Sequence, residues 1–170
     1  MAMKNRYSGV LNIPASDRTP KVVPQNQYLL QTDAAINQTQ SKMGFGAVLL
    51  DWQGKVVAGL SAPVAGNLQP LIAEALSLHA SLEWCINIQM PLAVIETDSK
   101  LLVDKVLSKK ADFSALADVI EDIRCSLSAF PDVHLRYVKR SHNCRAHNLA
   151  QRALGQDEEC CWNALVPTLC

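Results

Sequence analysis

The chain has 170 residues, 49% of them hydrophobic, which is about the size and composition of one domain that can bury its own core. Its 16 basic and 16 acidic side chains cancel, which argues against a disordered polyelectrolyte and against attraction of nucleic acid or membrane by the whole surface. Because no apolar run approaches the ~20 residues of a membrane span, and no signal-peptide core is present, we expect an intracellular protein of the cytoplasm or nucleus.

The first predicted elements are three short strands. Their segments are 28–32, 44–50 and 55–60, and residues 51–54 (Asp-Trp-Gln-Gly) supply a turn between the second and the third. Two strands joined across a turn that contains glycine form a hairpin, so we expect these strands to be antiparallel. The first strand is expected to end at Asp33.

Helices and strands alternate in the rest of the chain. A sheet that opens with a hairpin and then alternates with helices implies an α/β fold. We therefore expect a mixed sheet of five strands, three antiparallel ones first, flanked by helices. The remaining predicted elements are helices at about 71–88, 100–108, 114–129 and 143–154, and strands at 92–96 and 133–138.

Two segments outside these elements show no lasting periodicity. Residues 1–26 contain three prolines and scattered charges, which is typical of a linker or a disordered lead-in. Residues 156–170 are similarly irregular and are predicted to form a C-terminal tail. The folded domain is therefore expected to span residues 27–155.

Three carboxylates occupy positions that are unusual for a charge. Glu74 falls on the apolar stripe of the first helix, while Asp33 and Asp98 each follow a predicted strand. Each also has an ordinary explanation, because negative charge is favoured near the start of a helix and Asp is common in turns and at helix N-caps. No one of the three residues decides between these interpretations.

The three carboxylates together favour a metal site. Open α/β sheets place their ligands at the carboxyl ends of strands, and Glu74, near the start of a packed helix, can project toward Asp33 and Asp98. Clustered carboxylates repel one another and either take up protons or bind cations, and their hard oxygen ligands suit Mg²⁺ or Mn²⁺. Two such ions about 4 Å apart serve the in-line attack of water on a phosphodiester. The sequence therefore predicts a nuclease-like centre with two ions.

At these residues the chain resembles the ribonuclease H family, most closely its plant retroelement-type, reverse-transcriptase-like members. Each matching motif is short, but five of them follow in order over about residues 28–154, and the family's fold has the element order predicted above. The motifs are Thr32-Asp33-Ala34-Ala35; Gly44-Phe45-Gly46-Ala47-Val48-Leu49-Leu50-Asp51 with Gly54; Ala73-Glu74-Ala75 with Ala80 and Trp84; Glu96-Thr97-Asp98-Ser99; and Val138-Lys139-Arg140 with Asn143, Ala146-His147 and Leu149-Ala150.

The resemblance implies an endonuclease that hydrolyses the RNA strand of RNA–DNA hybrids with two Mg²⁺ or Mn²⁺ ions. It implies that Asp33, Glu74 and Asp98 are catalytic and bind the metal. The family usually supplies a fourth carboxylate in an Asn-x-x-Ala-Asp pattern, which here reads Asn143-Cys144-Arg145-Ala146-His147. Because neutral imidazole suits Mn²⁺ better than Mg²⁺, a catalytic His147 is expected to give a weakened, Mn²⁺-preferring nuclease. The alternative is a surface histidine without a role.

A basic stretch covers the last predicted strand and helix. Residues 133–156 contain no Asp or Glu but several basic side chains, which suits phosphate contact beside a metal site. The alternative is a solvated face that pairs with the acidic stretch at 118–122. The residues expected to contact nucleic acid are Lys139, Arg140, Asn143 and Arg145.

Three functions remain open from the sequence. The intact carboxylate set favours a hybrid ribonuclease, whereas His147 and the zero net charge favour a catalytically weak or inactive nucleic-acid-binding module derived from a retroelement. A structural interaction domain is the third alternative. The expected partner is an RNA–DNA hybrid or another nucleic acid, with no membrane partner. We expect a monomer, or a part of a larger reverse-transcriptase-type polyprotein.

Overall fold

A mixed sheet forms the centre of the part of the chain that the computed structural model describes, residues 22–110 and 115–165. Its strands are β1 (Tyr28–Asn37), β2 (Lys42–Leu50), β3 (Val56–Ala65), β4 (Leu92–Thr97), β5 (His134–Tyr137) and β6 (Cys160–Asn163). The α-helices of the described residues are α1 (Pro70–Asn87), α2 (Lys100–Leu107), α3 (Ala117–Leu127) and α4 (Cys144–Ala153), and a 3₁₀ turn at Arg140–His142 precedes α4. The predicted order of elements is confirmed as far as α4.

The strands lie side by side in the order β5-β4-β1-β2-β3-β6. The first three strands of the chain form an antiparallel meander, whereas β4 and β5 run parallel to β1. This arrangement confirms the predicted α/β fold with a mixed sheet. The sheet has six strands rather than the expected five, because β6 pairs antiparallel with β3.

Strand β6 lies in the segment that was expected to be an irregular tail. Its four residues are too few to show an alternating pattern, so nothing local in the sequence indicates a strand. The indole of Trp162 covers the backbone of Gly59 on β3, where a Cβ would collide with the ring. Pairing with a distant strand therefore forms β6, and local propensity does not.

The predicted turn between β2 and β3 is built around Asp51. Its Oδ1 accepts hydrogen bonds from the backbone N–H groups of Gln53 and Lys55, each 2.9 Å long. Gly54 has a φ of +77°, in the left-handed region that favours glycine. The Asp-x-x-Gly sequence therefore closes the hairpin as expected.

Helices cover both faces of the sheet. Successive residues of a strand point to opposite faces, and in β2 every residue after Lys42 is buried. Phe45 and Leu49 join one hydrophobic cluster with Leu78 of α1. The intervening positions of β2 include Gly44 and Gly46, against which α4 packs. Helix α1 therefore lies on one face and α4 on the other.

Helix α1 matches the helix predicted at 71–88. It begins at Pro70, whose fixed φ and missing N–H group suit the first turn of a helix. No helix among the described residues is both long and apolar enough to cross a membrane. The members of the predicted apolar stripe that are completely buried are Ala75, Leu78, Leu82 and Cys85.

Some predicted segments lie partly outside the described residues. Of the predicted lead-in, residues 1–21 are not described, and residues 22–26 contain no helix or strand. Residues 111–114 are also outside, so the predicted helix start at 114 falls among them, and α3 is described from Ala117. The tail is described as far as residue 165.

Candidate metal centre

Asp33 lies within a strand, so the expected strand end at this residue is wrong. The antiparallel pairing with β2 extends β1 as far as Asn37. The parallel neighbour β4 stops sooner, and the last residues paired between β1 and β4 are Gln31 and Glu96. Asp33 lies two residues after Gln31, and Asp98 lies two residues after Glu96. Asp33 therefore still reaches the open end of the parallel pair, where Asp98 follows β4.

Glu74 reaches the same place from near the start of α1. Buried hydroxyl groups fix this helix on β1: Ser77 Oγ donates to the backbone oxygen of Asp33 at 2.7 Å and lies 3.2 Å from Thr32 Oγ1. One carboxylate oxygen from each of Asp33, Glu74 and Asp98 lies within 4.8 Å of the other two. The structure thus brings together the three carboxylates that the sequence analysis grouped.

These carboxylates are poorly solvated and close to one another. Asp33 is completely buried and Glu74 is half-buried. Burial, together with the neighbouring Asp33 and Asp98 charges, raises the pKa of Glu74 to about 9. Burial also raises the pKa of Asp33, although the hydrogen bond with His147 opposes the rise. Without a cation, Glu74 is therefore protonated at neutral pH.

Two oxygen atoms of the cluster fit a metal ion. Asp33 Oδ1 and Glu74 Oε2 are buried and have no hydrogen-bond partner among the described residues. A buried carboxylate oxygen without a partner is costly, and a divalent cation would supply the partner. A donor set made only of carboxylate oxygens suits Mg²⁺ or Mn²⁺ rather than zinc. The residues present therefore fit a divalent ion of this kind.

His147 lies on α4 beside the cluster. Its Nδ1 is 2.6 Å from Asp33 Oδ2, and its side chain is 26% exposed. The helix can approach this closely because Gly46 has no side chain. A Cβ at this position would collide with the backbone oxygen of Ala146. The structure thus places the His147 imidazole next to a carboxylate of the centre.

The residues expected to contact nucleic acid fall into two groups. Asn143 is completely buried, and its Nδ2 donates to the backbone oxygen of Thr32 at 3.0 Å. Its side chain therefore anchors the start of α4 to β1 and is not on the surface. The other three side chains are exposed: Lys139, Arg140 and Arg145.

Arg140 contacts the carboxylate cluster directly. Its Nε donates to Asp98 Oδ2 at 2.8 Å, and this hydrogen bond raises the pKa of Arg140. The acidic stretch on α3 does not make the expected alternative pairing at Glu121, which instead pairs with Arg124 of its own helix. The ion pair at Asp98 therefore links the basic stretch to the candidate metal ligands.

A buried polar network that the sequence analysis missed holds the 3₁₀ turn before α4. Glu96 Oε1 accepts from Arg136 Nε at 3.0 Å and from Arg136 Nη2 at 2.6 Å, so this member of the basic stretch is already engaged. Gln31 Nε2 donates to Glu96 Oε2 at 2.9 Å and to the backbone oxygen of His142 at 2.8 Å. The sequence feature that could have indicated this network is Glu96, a charged residue in a mainly apolar strand.

The fold is that of a ribonuclease H-like domain. The ribonuclease H1 of the halophilic archaeon Halobacterium salinarum is similar with a TM-score of 0.69 and 25% identity, over 76% of this chain and 98% of that chain. LC11-RNase H1, solved in complex with an RNA/DNA hybrid, is similar with a TM-score of 0.65 and 20% identity, over 76% and 97%. The foamy viral protease-reverse transcriptase, also solved with an RNA/DNA hybrid, has a TM-score of 0.63 and 19% identity, over 88% and 23%.

The chain belongs to the reverse transcriptase-like family of ribonuclease H-like domains, which it matches over residues 31–153. The resemblance seen in the sequence is thereby confirmed. Asp33, Glu74, Asp98 and His147 all lie inside the matched range. No curated protein sequence matches the chain.

Proposed function

We propose that this protein is a metal-dependent endonuclease that cuts the RNA strand of RNA–DNA hybrids and leaves 5′-phosphate and 3′-hydroxyl ends. The observation that carries the proposal is the meeting of Asp33, Glu74 and Asp98 at the open end of β1 and β4. Two buried oxygens of this cluster lack partners within residues 22–110 and 115–165. Similarity to a ribonuclease H1 solved with an RNA/DNA hybrid supports this substrate class.

Asp33, Glu74 and Asp98 would hold the metal, Mg²⁺ or Mn²⁺. When bound, a divalent ion at such a site favours attack by water and stabilises the leaving 3′-oxygen. Glu74 must give up its proton to act as a ligand, because burial and neighbouring charges keep it protonated otherwise. The two-ion form of this chemistry stays a prediction.

His147 would act through the nitrogen that faces away from Asp33. Since Nδ1 lies against the Asp33 carboxylate, Nε2 is the nitrogen that would exchange a proton with water or with the leaving group. An imidazole here adds no negative charge to the ligand set. We therefore propose an activity that is weaker than that of a four-carboxylate site and that prefers Mn²⁺ over Mg²⁺.

The exposed cations beside the centre would contact the substrate backbone. Lys139 and Arg145 are exposed on the segment that carries Arg140, and phosphate contacts of this kind fix the register of a nucleic acid. An RNA–DNA hybrid is the proposed partner of a monomeric, intracellular domain. Similarity to one part of a foamy viral protease-reverse transcriptase supports a larger retroelement polyprotein as the context.

The test is cleavage of a hybrid with an end label on each strand, in Mg²⁺ and separately in Mn²⁺. We expect the RNA strand alone to be cut, only with metal present, and with higher rates in Mn²⁺. Asp98→Asn keeps the shape of the ligand and removes its charge, so it should abolish cutting. Cutting that survives this substitution or the removal of metal by EDTA would contradict the proposal.

A nucleic-acid-binding module without efficient catalysis is the second candidate. It is favoured by the engagement of Asp33 Oδ2 by His147 and of Asp98 Oδ2 by Arg140, since both contacts compete with a metal ion. If the protein binds the hybrid in a salt-dependent way but does not cut it in either metal, the binding module is favoured over the enzyme.

A further inference from the structure

The carboxylate oxygens of the centre are not all available to metal ions. Asp33 Oδ2 is 2.6 Å from His147 Nδ1, and Asp98 Oδ2 accepts from Arg140 Nε at 2.8 Å. The buried oxygens of the centre without a partner in the described part of the chain are Asp33 Oδ1 and Glu74 Oε2. His147 Nδ1 and the Arg140 guanidinium therefore each engage one carboxylate oxygen of the cluster.

The charges of the cluster match one divalent ion. Three ionised carboxylates carry at most three negative charges, and the guanidinium of Arg140, which stays protonated in proteins, cancels one of them. The remaining two negative charges balance a single divalent cation. A second ion would leave excess positive charge in a partly buried site, and His147 supplies no negative charge to offset it.

The ion pair between Arg140 and Asp98 is held by its surroundings. Isolated surface ion pairs are worth little because both side chains must be ordered, but here the Asp98 side chain is only 8% exposed. The turn that carries Arg140 is fixed at its end by the bond from Gln31 to the His142 backbone oxygen and, one residue later, by Asn143. The backbone that carries Arg140 is therefore fixed, and its side chain, 62% exposed, reaches Asp98 from the surface.

We infer that the centre binds a single divalent cation and that Arg140 supplies the second positive charge of the site. This inference rests on the proposed function, and it replaces the two ions expected from the sequence by one ion and the Arg140 guanidinium. The guanidinium has five N–H donors and uses one on Asp98, so others remain for an oxygen of the scissile phosphate. Arg140 would then bind the same anionic group that a second ion binds in a two-ion centre.

The test is a count of bound Mn²⁺ by equilibrium dialysis, with free Mn²⁺ read by electron paramagnetic resonance. We expect one ion per chain in the unmodified protein and two in His147→Asp, which adds a carboxylate beside Asp33. Arg140→Gln should bind the ion about threefold to tenfold more tightly, because it removes a competing positive charge. Arg152→Gln removes an exposed positive charge further along α4 and should match the unmodified protein.

Each result of this count bears on the inference. Two ions in the unmodified protein would overturn it while leaving the proposed nuclease intact, and equal affinity in Arg140→Gln and Arg152→Gln would overturn the role of Arg140. No bound ion would overturn both the inference and the proposed function. If Arg140→Gln does not fold, as judged by circular dichroism, Arg140→Lys replaces it. Lysine keeps the positive charge, so this variant should keep the count at one, and a count of two would contradict the inference.

Discussion

At the scale of single residues, the centre stores unfavourable electrostatics that a cation would relieve. Glu74 is protonated at neutral pH because its surroundings are apolar and its neighbours are anionic. Asp33 has no exposed surface at all, yet one of its oxygens lacks a hydrogen-bond partner among the described residues. Such a site lowers the free energy of unfolding when no metal is bound, and metal binding raises it.

The stability of the metal-free protein should therefore fall as the pH rises. The pKa of Glu74 goes from an ordinary 4.5 to about 9 on folding, so the native state binds more protons than the unfolded state between these values. From about pH 6 to about pH 8.5 in EDTA, we expect urea unfolding to report a loss on the order of 3 kcal/mol. Glu74→Gln should flatten most of this dependence. Glu83→Gln, an exposed change on the same helix, should retain it.

The role of His147 is tested by changing the residue and the metal together. If Nε2 handles a proton, His147→Ala should lower the rate of hybrid cleavage by at least about tenfold in both metals. His147→Asp restores a carboxylate, so it should raise the rate in Mg²⁺ relative to the rate in Mn²⁺. Equal rates for the unmodified protein and His147→Ala in both metals would rule out any role for this side chain.

The sequence identifies the residues of the centre better than their surroundings. Asp33, Glu74, Asp98 and His147 were found because their motifs occur in the expected order, and the structure brings all four together. Asn143 was expected to contact nucleic acid, and its side chain is buried, since a motif specifies a position along the chain and not its burial. The partners of Glu96 could not be predicted either, because they come from strands that are distant in sequence.

At the scale of elements, the contact between α4 and β2 determines where His147 lies. Gly46 allows the helix backbone to approach the strand, and a Cβ there would meet the backbone oxygen of Ala146 and the backbone nitrogen of Ala150. Backbone atoms inside a packed helix cannot move aside as a flexible side chain can. The small residue is therefore required by packing as well as by the site.

Gly46→Ala should destabilise the protein by about 3 kcal/mol or more, because relief of the clash requires α4 to shift as a unit. The same shift should move His147 from Asp33 and lower hybrid cleavage in the fraction that still folds. Urea unfolding and cleavage assays check both effects. Gly155→Ala is the control, since the nearest atom to its added Cβ is at 3.7 Å. Similar losses in both variants would contradict this account of the packing.

Local elements were predictable and long-range pairing was not. The Asp51 turn and the apolar stripe of α1 follow from neighbouring residues, and both appear as predicted. The extension of β1 to Asn37 and the whole of β6 depend on partner strands, β2 and β3, that complete the ladder. For this reason the predicted first strand is too short and the sixth strand was not predicted.

At the scale of the whole molecule, zero net charge leaves nucleic-acid binding to a few local cations. Arg140 contacts Asp98 of the centre, and Lys139 and Arg145, within five residues of it along the chain, are also exposed. If each contacts one phosphate, the logarithm of the hybrid binding constant should fall against the logarithm of salt concentration with a slope of about −2.7. A steeper slope would require contacts elsewhere on the surface.

Single substitutions should show how much each cation contributes to this salt dependence. Lys139→Gln should reduce its magnitude by about 0.9, because one phosphate contact is lost. Lys55→Gln removes an exposed charge at the hairpin turn and should leave the slope unchanged. Fluorescence anisotropy of a labelled hybrid at several salt concentrations, in EDTA so that no cutting occurs, gives both values. Equal slopes for the two variants would place the binding surface elsewhere.

The position of β1 inside the sheet has a consequence for how the domain opens. This strand is bonded to β2 on one side and to β4 on the other, and Asp33 lies within it. Amide protons in such a central strand exchange with solvent only through large-scale opening events. Asp33 is paired with Gly46 of β2 and lies two residues beyond the last pair with β4, so it leaves its position only when β1 separates from β2. A cation bound there should slow hydrogen exchange across β1, β2 and β4 together, rather than at the site alone.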